Sequence, residues 1–183
     1  MNGIDTPTAE WPGDELRSEP RRLIVGIGEV GVSEDLDAVI VTHALGSCVA
    51  VCVFDPVVHV AAMLHFLLPE SYINAARGRE RPALFADTGI PLLFQTAYRF
   101  GLEKRRAIVK LVGGAEVISG SSVSESSFKT GRRNALAAKQ MLWRNGVMVR
   151  GEDIGGNIAR TVHFSVHDGR VRVFSGRSEM REI

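Results

Sequence analysis

Two apolar runs of strand length stand close together in the chain and limit the folds open to it. Residues 49–54 and 61–68 are almost wholly apolar, and only the segment Asp55–His59 separates them. Runs of this length bounded by turn residues are typical of buried strands. So short a connection joins antiparallel neighbours, because a parallel pair needs a crossover of a dozen or more residues. The sequence therefore predicts a buried antiparallel pair.

Cys48 directly precedes the first run, and His65 stands in the second, 17 positions later. Antiparallel pairing would bring the two together across the ladder. A thiol beside an imidazole is the minimum equipment for nucleophilic acyl chemistry, in which the imidazole lowers the thiol's pKa and carries the proton to the leaving group. Most single cysteines and strand histidines are inert core residues, and Cys52 is interpreted in that way. Gly46 and Ser47, in contrast, allow a sharp turn before Cys48 and close approach of a substrate to the backbone.

Charge and composition argue against several classes of partner. The 22 Lys and Arg residues nearly balance 21 Asp and Glu residues, without a long basic block, so nucleic acid is not an expected partner. No run approaches the roughly 18 apolar residues of a membrane span, so direct membrane insertion is not expected. The 2 cysteines form no C-x-x-C pair and the 5 histidines have no finger-like spacing, which predicts reduced thiols in the cytoplasm and no metal site.

No cofactor is predicted either. Gly26, Gly28 and Gly31 match the pattern G-x-G-x-x-G of dinucleotide-binding loops. A phosphate site of that kind needs the start of a helix at this point, and the following residues lead instead into another apolar strand pattern. The match therefore carries little weight.

The remaining pattern predicts a mixture of strands and helices. Strands are expected at residues 23–28, 38–42, 106–112, 147–149, 161–166 and 170–174, and helices from Asp87 to Gly101 and from about 131 to 146. Asp168-Gly169 indicates a hairpin turn, and Gly113-Gly114-Ala115 a close-packed or ligand-facing turn. An acidic turn around Gly31, a polar surface loop at 69–87, a Ser-rich loop at 119–127 and a turn at 152–157 complete the prediction.

The chain length suits one globular domain. A chain of 183 residues with 45% hydrophobic residues can bury roughly 70% of its unfolded surface. Residues 1–20 carry five acidic residues and three prolines without an apolar run, and they are predicted to be a flexible acidic leader. The folded domain is accordingly expected to span residues 21–183.

The assembled motifs resemble one known family. Residues 25–29, 42–51, Asp55-Pro56, His65 and Leu68-Pro69 resemble, in order and spacing, the chemoreceptor glutamine deamidases of bacterial chemotaxis, the CheD family. The resemblance continues through residues 86–88, 113–115, 131–134 and 152–160. It covers nearly everything after residue 21, and the family's catalytic Cys, His and Thr fall on Cys48, His65 and Thr42.

The resemblance implies a cysteine amidohydrolase that converts particular glutamines to glutamates on the cytoplasmic helical region of methyl-accepting chemotaxis receptors. Cys48 would attack the amide carbon, His65 would transfer the protons and Thr42 would orient His65. Gly46 and Ser47, and more weakly Asn157, are candidates for binding the substrate or its oxyanion. The implied fold is α+β, with largely antiparallel mixed sheets, helices packed outside and a relation to toxin deamidases. Members of the family also bind a chemotaxis phosphatase, which makes such a regulator a further candidate partner.

Two alternatives remain open at this point. A different cysteine amidase or methylesterase would use the same residues on another substrate, and a deep apolar pocket beside Cys48 would favour it. A non-catalytic chemotaxis adaptor would keep the fold and bind receptors without modifying them. Loss of receptor deamidation on substitution of Cys48 would exclude the adaptor.

Overall fold

Two five-stranded sheets and a pair of longer helices form the part of the chain that the computed structural model describes, residues 20–116, 130–176 and 179–183. The strands are β1 Arg21–Ile24, β2 Glu29–Ser33, β3 Ala38–Leu45, β4 Val49–Asp55, β5 Val60–Phe66, β6 Ile108–Gly113, β7 Val149–Ile154, β8 Arg160–Ser165, β9 Val171–Ser175 and β10 Glu179–Glu182. The helices are α1 Ala75–Glu80, α2 Ala86–Tyr98 and α3 Thr130–Arg144, with short 3-10 turns at Ser71–Asn74, Pro82–Leu84 and Lys104–Arg106.

The sheets are mixed but mainly antiparallel. Sheet A has the strand order β1-β3-β8-β9-β10, and sheet B has the order β2-β5-β4-β6-β7. Within the described residues, only the pairs β1–β3 and β6–β7 are parallel. This arrangement confirms the predicted α+β class. None of the described helices has the length and apolar content needed to cross a bilayer.

Strands β4 and β5 lie at the centre of sheet B and are covered on both faces. They pair antiparallel from Val49 opposite Phe66 to Asp55 opposite Val60, as predicted. Val51 and Val53 belong to the apolar cluster that includes α2 and α3, whereas Cys52 belongs to the cluster shared with sheet A. Burial on both faces explains why these strands are continuous apolar runs rather than alternating ones. The order of layers is therefore helices, sheet B, sheet A.

Three predicted connections are wrong. The acidic turn predicted around Gly31 is wrong in its first part: residues 29–33 are strand β2, because Val30 and Val32 alternate and pack against the helix-side cluster, and only residues 34–37 form the turn to β3. The predicted surface loop at 69–87 contains α1 and two 3-10 turns, and it buries Leu84 and Phe85.

The third error concerns the turn predicted at residues 152–157, where β7 continues to Ile154. This strand is the edge of sheet B and pairs in parallel with β6. An edge strand exposes one side to solvent, so polar residues such as Glu152 and Asp153 are tolerated there.

Both predicted helices are confirmed as α2 and α3, and strands β8 and β9 pair around the predicted Asp168-Gly169 hairpin. Asp87 lies in the first turn of α2, and its carboxylate accepts hydrogen bonds from the Ser71 N–H and hydroxyl at 2.8–2.9 Å. The Ser-rich loop at 119–127 and the leader, apart from Pro20, lie outside the described residues.

A buried ion pair fixes the turn between β4 and β5. Asp55 is 0% exposed and accepts hydrogen bonds from Arg106 Nε at 2.9 Å, from the Glu103 N–H at 2.9 Å and from the Val57 N–H at 3.0 Å. Burial alone would raise the pKa of Asp55, but these bonds outweigh it and hold that pKa below its usual value. The carboxylate is thus charged and fully partnered.

We expect Asp55→Ala to lower the free energy of unfolding by about 3–5 kcal/mol, because it leaves the partly buried Arg106 uncompensated. Urea unfolding followed by circular dichroism measures the loss. Glu152→Ala is the matched control, since it removes an exposed pair with Lys139 that contributes at most about 1 kcal/mol. Equal losses in the two variants would contradict a structural role for Asp55.

Candidate active site

Cys48 lies in the short connection between the two sheets. Strand β3 of sheet A ends at Leu45, Gly46 and Ser47 form a bend, and β4 of sheet B begins at Val49. Cys48 is 6% exposed and packs in the apolar cluster between the sheets. The expected turn before the thiol is therefore present, and it coincides with the passage of the chain from one layer to the other.

The structure brings His65 to the same face as Cys48, although the pairing is diagonal. His65 lies opposite Ala50 in the β4–β5 ladder, and Cys48 precedes Ala50 by two positions. Residues two apart along a strand share a face, and diagonal neighbours are close enough for side chains to meet. Both side chains are thus directed toward the space between the sheets, at the end of β4 where the chain enters.

Thr42 joins this pair from the opposite sheet. It is fully buried on β3, and its Oγ1 lies 2.8 Å from Nδ1 of His65. The same hydroxyl donates a hydrogen bond of 2.7 Å to the carbonyl oxygen of Val25. The three residues predicted as a catalytic set therefore come from three different strands or strand ends, and they converge between the layers.

The hydrogen bonds assign the tautomer of His65. A carbonyl oxygen can only accept, so the single hydroxyl proton of Thr42 goes to Val25. Toward His65 the hydroxyl oxygen must accept, which places the ring proton on Nδ1. Nε2 then carries the lone pair; it is buried and has no hydrogen-bond partner among the described residues. The ring is a neutral base with its free nitrogen available.

Burial decides the charge state of both reactive groups. It lowers the pKa of His65 to about 4, against smaller upward effects of the Val25 carbonyl and the Glu29 carboxylate. It also raises the pKa of the Cys48 thiol, although the N–H of the same residue acts in the opposite direction. The expectation that the imidazole lowers the thiol's pKa is therefore wrong in the resting protein. The pair rests as neutral thiol and neutral imidazole.

Cys52 differs from Cys48 in the way expected of an inert residue. It lies in the middle of β4, is 1% exposed, and burial raises its pKa to about 12. A thiol this deeply desolvated forms almost no thiolate near neutral pH.

The turn before Cys48 packs against a second turn, Gly113–Ala115. A side chain at Gly113 would collide with the carbonyl oxygen of Cys48, and Gly113 has a φ of 115°, which favours glycine. This turn is the close-packed one predicted from the sequence. Within the turn before the thiol, the Gly46 N–H is already bonded to the Ala44 carbonyl at 2.8 Å.

Asn157 lies on a different connection from the candidates Gly46 and Ser47, which are in the turn before Cys48. It is exposed on the connection between β7 and β8. That connection reaches the site through Gly155, whose N–H donates to the Gly113 carbonyl at 2.9 Å. The structure therefore links Asn157 to the site only through two intervening turns.

Sequence reasoning missed several groups that shape the site. The Val25 carbonyl accepts from Thr42, and the Gly28 N–H donates to the His65 carbonyl at 2.7 Å. Glu29 lies opposite His65 in the β2–β5 ladder and accepts a bond from the Gly26 N–H at 2.8 Å. The paired glycines 26 and 28 were the available signal. They shape the backbone beside His65, and no helix follows them that could bind a phosphate.

The chain was compared with known proteins. The family model described as "CheD chemotactic sensory transduction" matches residues 67–175. A protein of Syntrophus aciditrophicus named probable chemoreceptor glutamine deamidase CheD 1 is 40% identical over 161 residues, covering 88% of this chain and 98% of the relative. Relatives of the same function by name, from Syntrophotalea carbinolica and Pyrococcus abyssi, are 45% and 37% identical over 153 residues each. These two alignments cover 82% and 84% of this chain, and 92% and 91% of the relatives.

We expect His65 to stay neutral, with its proton on Nδ1, as the pH falls from 7 to about 5, because its pKa of about 4 lies below the ordinary 6.5. Long-range proton–nitrogen NMR of the imidazole rings distinguishes the two tautomers and reports protonation. The unfolded chain protonates this ring below about pH 6.5, whereas the folded protein protonates it only near pH 4. The contribution of His65 to folding stability is therefore fully present above pH 6.5 and is lost as the pH falls through about 4.

Thr42→Val is the control for the tautomer, because it keeps the shape and removes the hydroxyl that accepts from Nδ1. In this variant we expect the preference for the Nδ1 proton to weaken. A ring that titrates near 6.5, or that carries its proton on Nε2 in the unmodified protein, would refute the assignment.

Proposed function

Because this chain belongs to the CheD family, we propose that it hydrolyses the side-chain amide of specific glutamines on methyl-accepting chemotaxis receptors, leaving glutamates. The observation that carries the proposal is the free Nε2 of His65, a buried base with a lone pair on the same face as the Cys48 thiol. The relatives are named for this reaction. The positions of Cys48, His65 and Thr42 support a two-step mechanism through a thioester.

In the first half-reaction, the Cys48 sulfur bonds to the amide carbon of the glutamine side chain while its proton passes to His65 Nε2. The carbonyl oxygen of the substrate becomes an oxyanion. The imidazolium then gives the proton to the amide nitrogen, the carbon–nitrogen bond breaks and ammonia leaves. A thioester remains on Cys48. The low pKa of His65 makes its imidazolium a strong acid, which favours protonation of the poor leaving group.

In the second half-reaction, water attacks the thioester carbon and gives a proton to His65 Nε2. The carbon–sulfur bond breaks, the imidazolium returns the proton to the sulfur, and glutamate is released with the resting thiol restored. Thr42 accepts from Nδ1–H throughout and donates its own proton to Val25. A neutral hydroxyl orients the ring without adding charge, which agrees with a neutral resting pair.

Backbone N–H groups at the turn stabilise the oxyanion in this proposal. The first candidate donor is the N–H of Cys48, which lowers the pKa of its own thiol against the larger effect of burial. The Ser47 N–H is the second candidate donor, since the Gly46 N–H is occupied by the Ala44 carbonyl. One such donor contributes about 3 kcal/mol to the transition state. Gly46 then contributes space for the substrate, and Asn157 remains the more distant candidate at the edge of the site.

The proposed substrate region is the cytoplasmic helical part of the receptors, which places the enzyme in the cytoplasm. A regulatory phosphatase partner is proposed on the family resemblance alone, as is the relation to toxin deamidases. The domain proposed to do this work spans residues 21–183.

Incubation of a receptor cytoplasmic fragment with the enzyme, followed by intact mass and peptide analysis, tests the reaction. We expect Cys48→Ala to abolish conversion of glutamine to glutamate, because no other thiol lies at the turn. Cys52→Ala is the matched control and should keep most of the activity, since Cys52 is a buried core residue. Equal conversion by the unmodified protein and Cys48→Ala would remove Cys48 as the nucleophile, and no conversion by the unmodified protein would refute the proposed function.

The Thr42 hydroxyl can be tested separately. We expect Thr42→Val to lower single-turnover rates roughly ten- to a thousandfold, and Thr42→Ser to retain more activity, because serine keeps a hydroxyl that can accept from His65. Thermal melts establish that both variants are folded. A well-folded Thr42→Val enzyme with unchanged turnover would leave a catalytic dyad of Cys48 and His65.

A further inference from the structure

We propose that Asn134 is a positioning residue for the oxyanion site: its side-chain amide holds the peptide between Ser47 and Cys48 so that the Cys48 N–H faces the reacting carbon. This inference rests on the proposed deamidation. Asn134 stands on α3, 87 positions after Ser47, and it makes its contact from the helix side of sheet B.

The Asn134 side chain joins two points that flank the reactive pair. It is 0% exposed, and its Nδ2 donates to the carbonyl oxygens of Ser47 and Leu67, each at 2.8 Å. Ser47 directly precedes Cys48, and Leu67 follows His65 by two positions. The β4–β5 ladder ends at the pair Val49 and Phe66. The amide therefore links the two chains just beyond the end of their ladder, on either side of the site.

The orientation of this amide is unambiguous. Both of its partners are backbone carbonyls, which can only accept, so the nitrogen must face them. The Oδ1 atom then points away and is buried with no hydrogen-bond partner among the described residues. An unsatisfied buried acceptor destabilises the folded protein. A leucine would fill similar space without this orphaned oxygen, but it would leave the Ser47 and Leu67 carbonyls without a donor, so the value of asparagine here lies in its two donated bonds.

The hydrogen bond from Asn134 to the Ser47 carbonyl sets the direction of the Cys48 N–H, which is the proposed donor to the oxyanion. A peptide unit is planar and trans, so fixing the Ser47 carbonyl on one side directs the Cys48 N–H to the opposite side. On that opposite side lies the space between the sheets, where the Cys48 thiol packs. Hydrogen bonding at a peptide carbonyl also polarises the attached N–H and strengthens it as a donor. Asn134 thus acts on the oxyanion through the intervening peptide.

The neighbouring peptides are held in the same way by the second turn. The Ala115 N–H donates to the Gly46 carbonyl at 2.8 Å, and the Gly114 N–H donates to the Cys48 carbonyl at 2.7 Å. Because Asn134 donates to the Ser47 carbonyl, the carbonyls of Gly46, Ser47 and Cys48 all accept a hydrogen bond. Of these three, only the Ser47 carbonyl is bound by a side chain. It is therefore the one that a single substitution can release.

Close packing of α3 sets the position of Asn134. A Cβ atom at Gly131 would lie 2.6 Å from the carbonyl oxygens of both Gly114 and Ala115, so only glycine lets the helix approach this turn. Asn134 lies three residues later, about one turn along the helix and on the same face. The first turns of α3 therefore carry both Gly131, which packs against the turn Gly113–Ala115, and Asn134, whose amide bonds to Ser47.

Asn134→Leu tests the proposal, because leucine keeps the size, removes both donors and removes the unsatisfied Oδ1. We expect kcat for receptor deamidation to fall about 10- to 100-fold with little change in KM, since the donor is misaligned rather than deleted. Thermal stability should fall modestly, because the Ser47 and Leu67 carbonyls lose their donor while only one unsatisfied acceptor, Oδ1, is removed. Gln140→Leu, at an exposed position of the same helix, is the matched control and should leave kcat and stability unchanged.

Selective nitrogen-15 labelling of cysteine gives a second readout that does not need a substrate. The chain contains 2 cysteines, so the backbone spectrum should contain one signal for Cys48 and one for Cys52. In Asn134→Leu we expect the Cys48 amide signal to move, because its peptide carbonyl loses a hydrogen bond. The Cys52 signal, from the middle of β4, should stay in place.

The outcomes separate this proposal from the proposed function. An unmoved Cys48 signal, equal movement of both cysteine signals, or a variant with unchanged kcat would each overturn the role of Asn134. An unmodified protein that leaves receptor glutamines intact would instead refute the deamidation, and the Cys48 signal would still decide whether Asn134 holds the peptide. Asn134→Asp provides a second variant should leucine prevent folding, and it is expected to move the Cys48 signal in the same way, since a carboxylate offers no donor and a protonated carboxyl group offers only one.

Discussion

The hydrogen bond between Thr42 and His65 is the interaction on which the site depends, because it connects the two sheets. Thr42 belongs to β3 in sheet A, and His65 belongs to β5 in sheet B. This hydrogen bond forms only if sheet A and sheet B stack at one distance from each other and in one lateral position. The apolar cluster between the sheets, to which Cys48 itself belongs, provides that stacking. The core that stabilises the fold is thus also the support that aligns the base.

Burial gives the site its chemical character. An exposed thiol and imidazole would be free to form an ion pair, but here desolvation disfavours the charged form of each group. In the proposed mechanism, the thiol proton therefore moves to His65 only when a substrate is attacked, as in a hydroxyl-based triad. A neutral Thr42 suits this arrangement, since a carboxylate in its place would favour a resting imidazolium. The same burial keeps the thiol weakly reactive until a substrate is bound.

The backbone of the turn before β4 is fixed more firmly than its exposure suggests. The carbonyls of Gly46, Ser47 and Cys48 are bonded to donors from the second turn and from α3. Each bond restrains a peptide plane next to the nucleophile. A site that relies on backbone N–H groups needs such restraint, because an unheld peptide would lose the alignment that makes electrostatic stabilisation effective. Helix α3 thereby contributes to a site located between the sheets.

The sequence by itself determined the antiparallel pair β4–β5, the burial of both strands and the two longer helices. These features follow from local periodicity and turn residues, which report the face on which a side chain lies. The family resemblance identified Thr42. The local pattern gave a wrong prediction at β2 and β7. A glycine and acidic residues there are typical of turns, but they lie in strands whose pairing is set by distant segments.

Only the tertiary structure decided which faces meet. The Val25 carbonyl, the Gly113–Ala115 turn and Asn134 come together with Cys48 and His65 because sheets and helix stack, and no spacing along the chain encodes that stacking. The neutral charge state of the pair was likewise decided by the structure. A pKa depends on the solvent that is removed and on the charges that remain nearby, and both are properties of the packed layers.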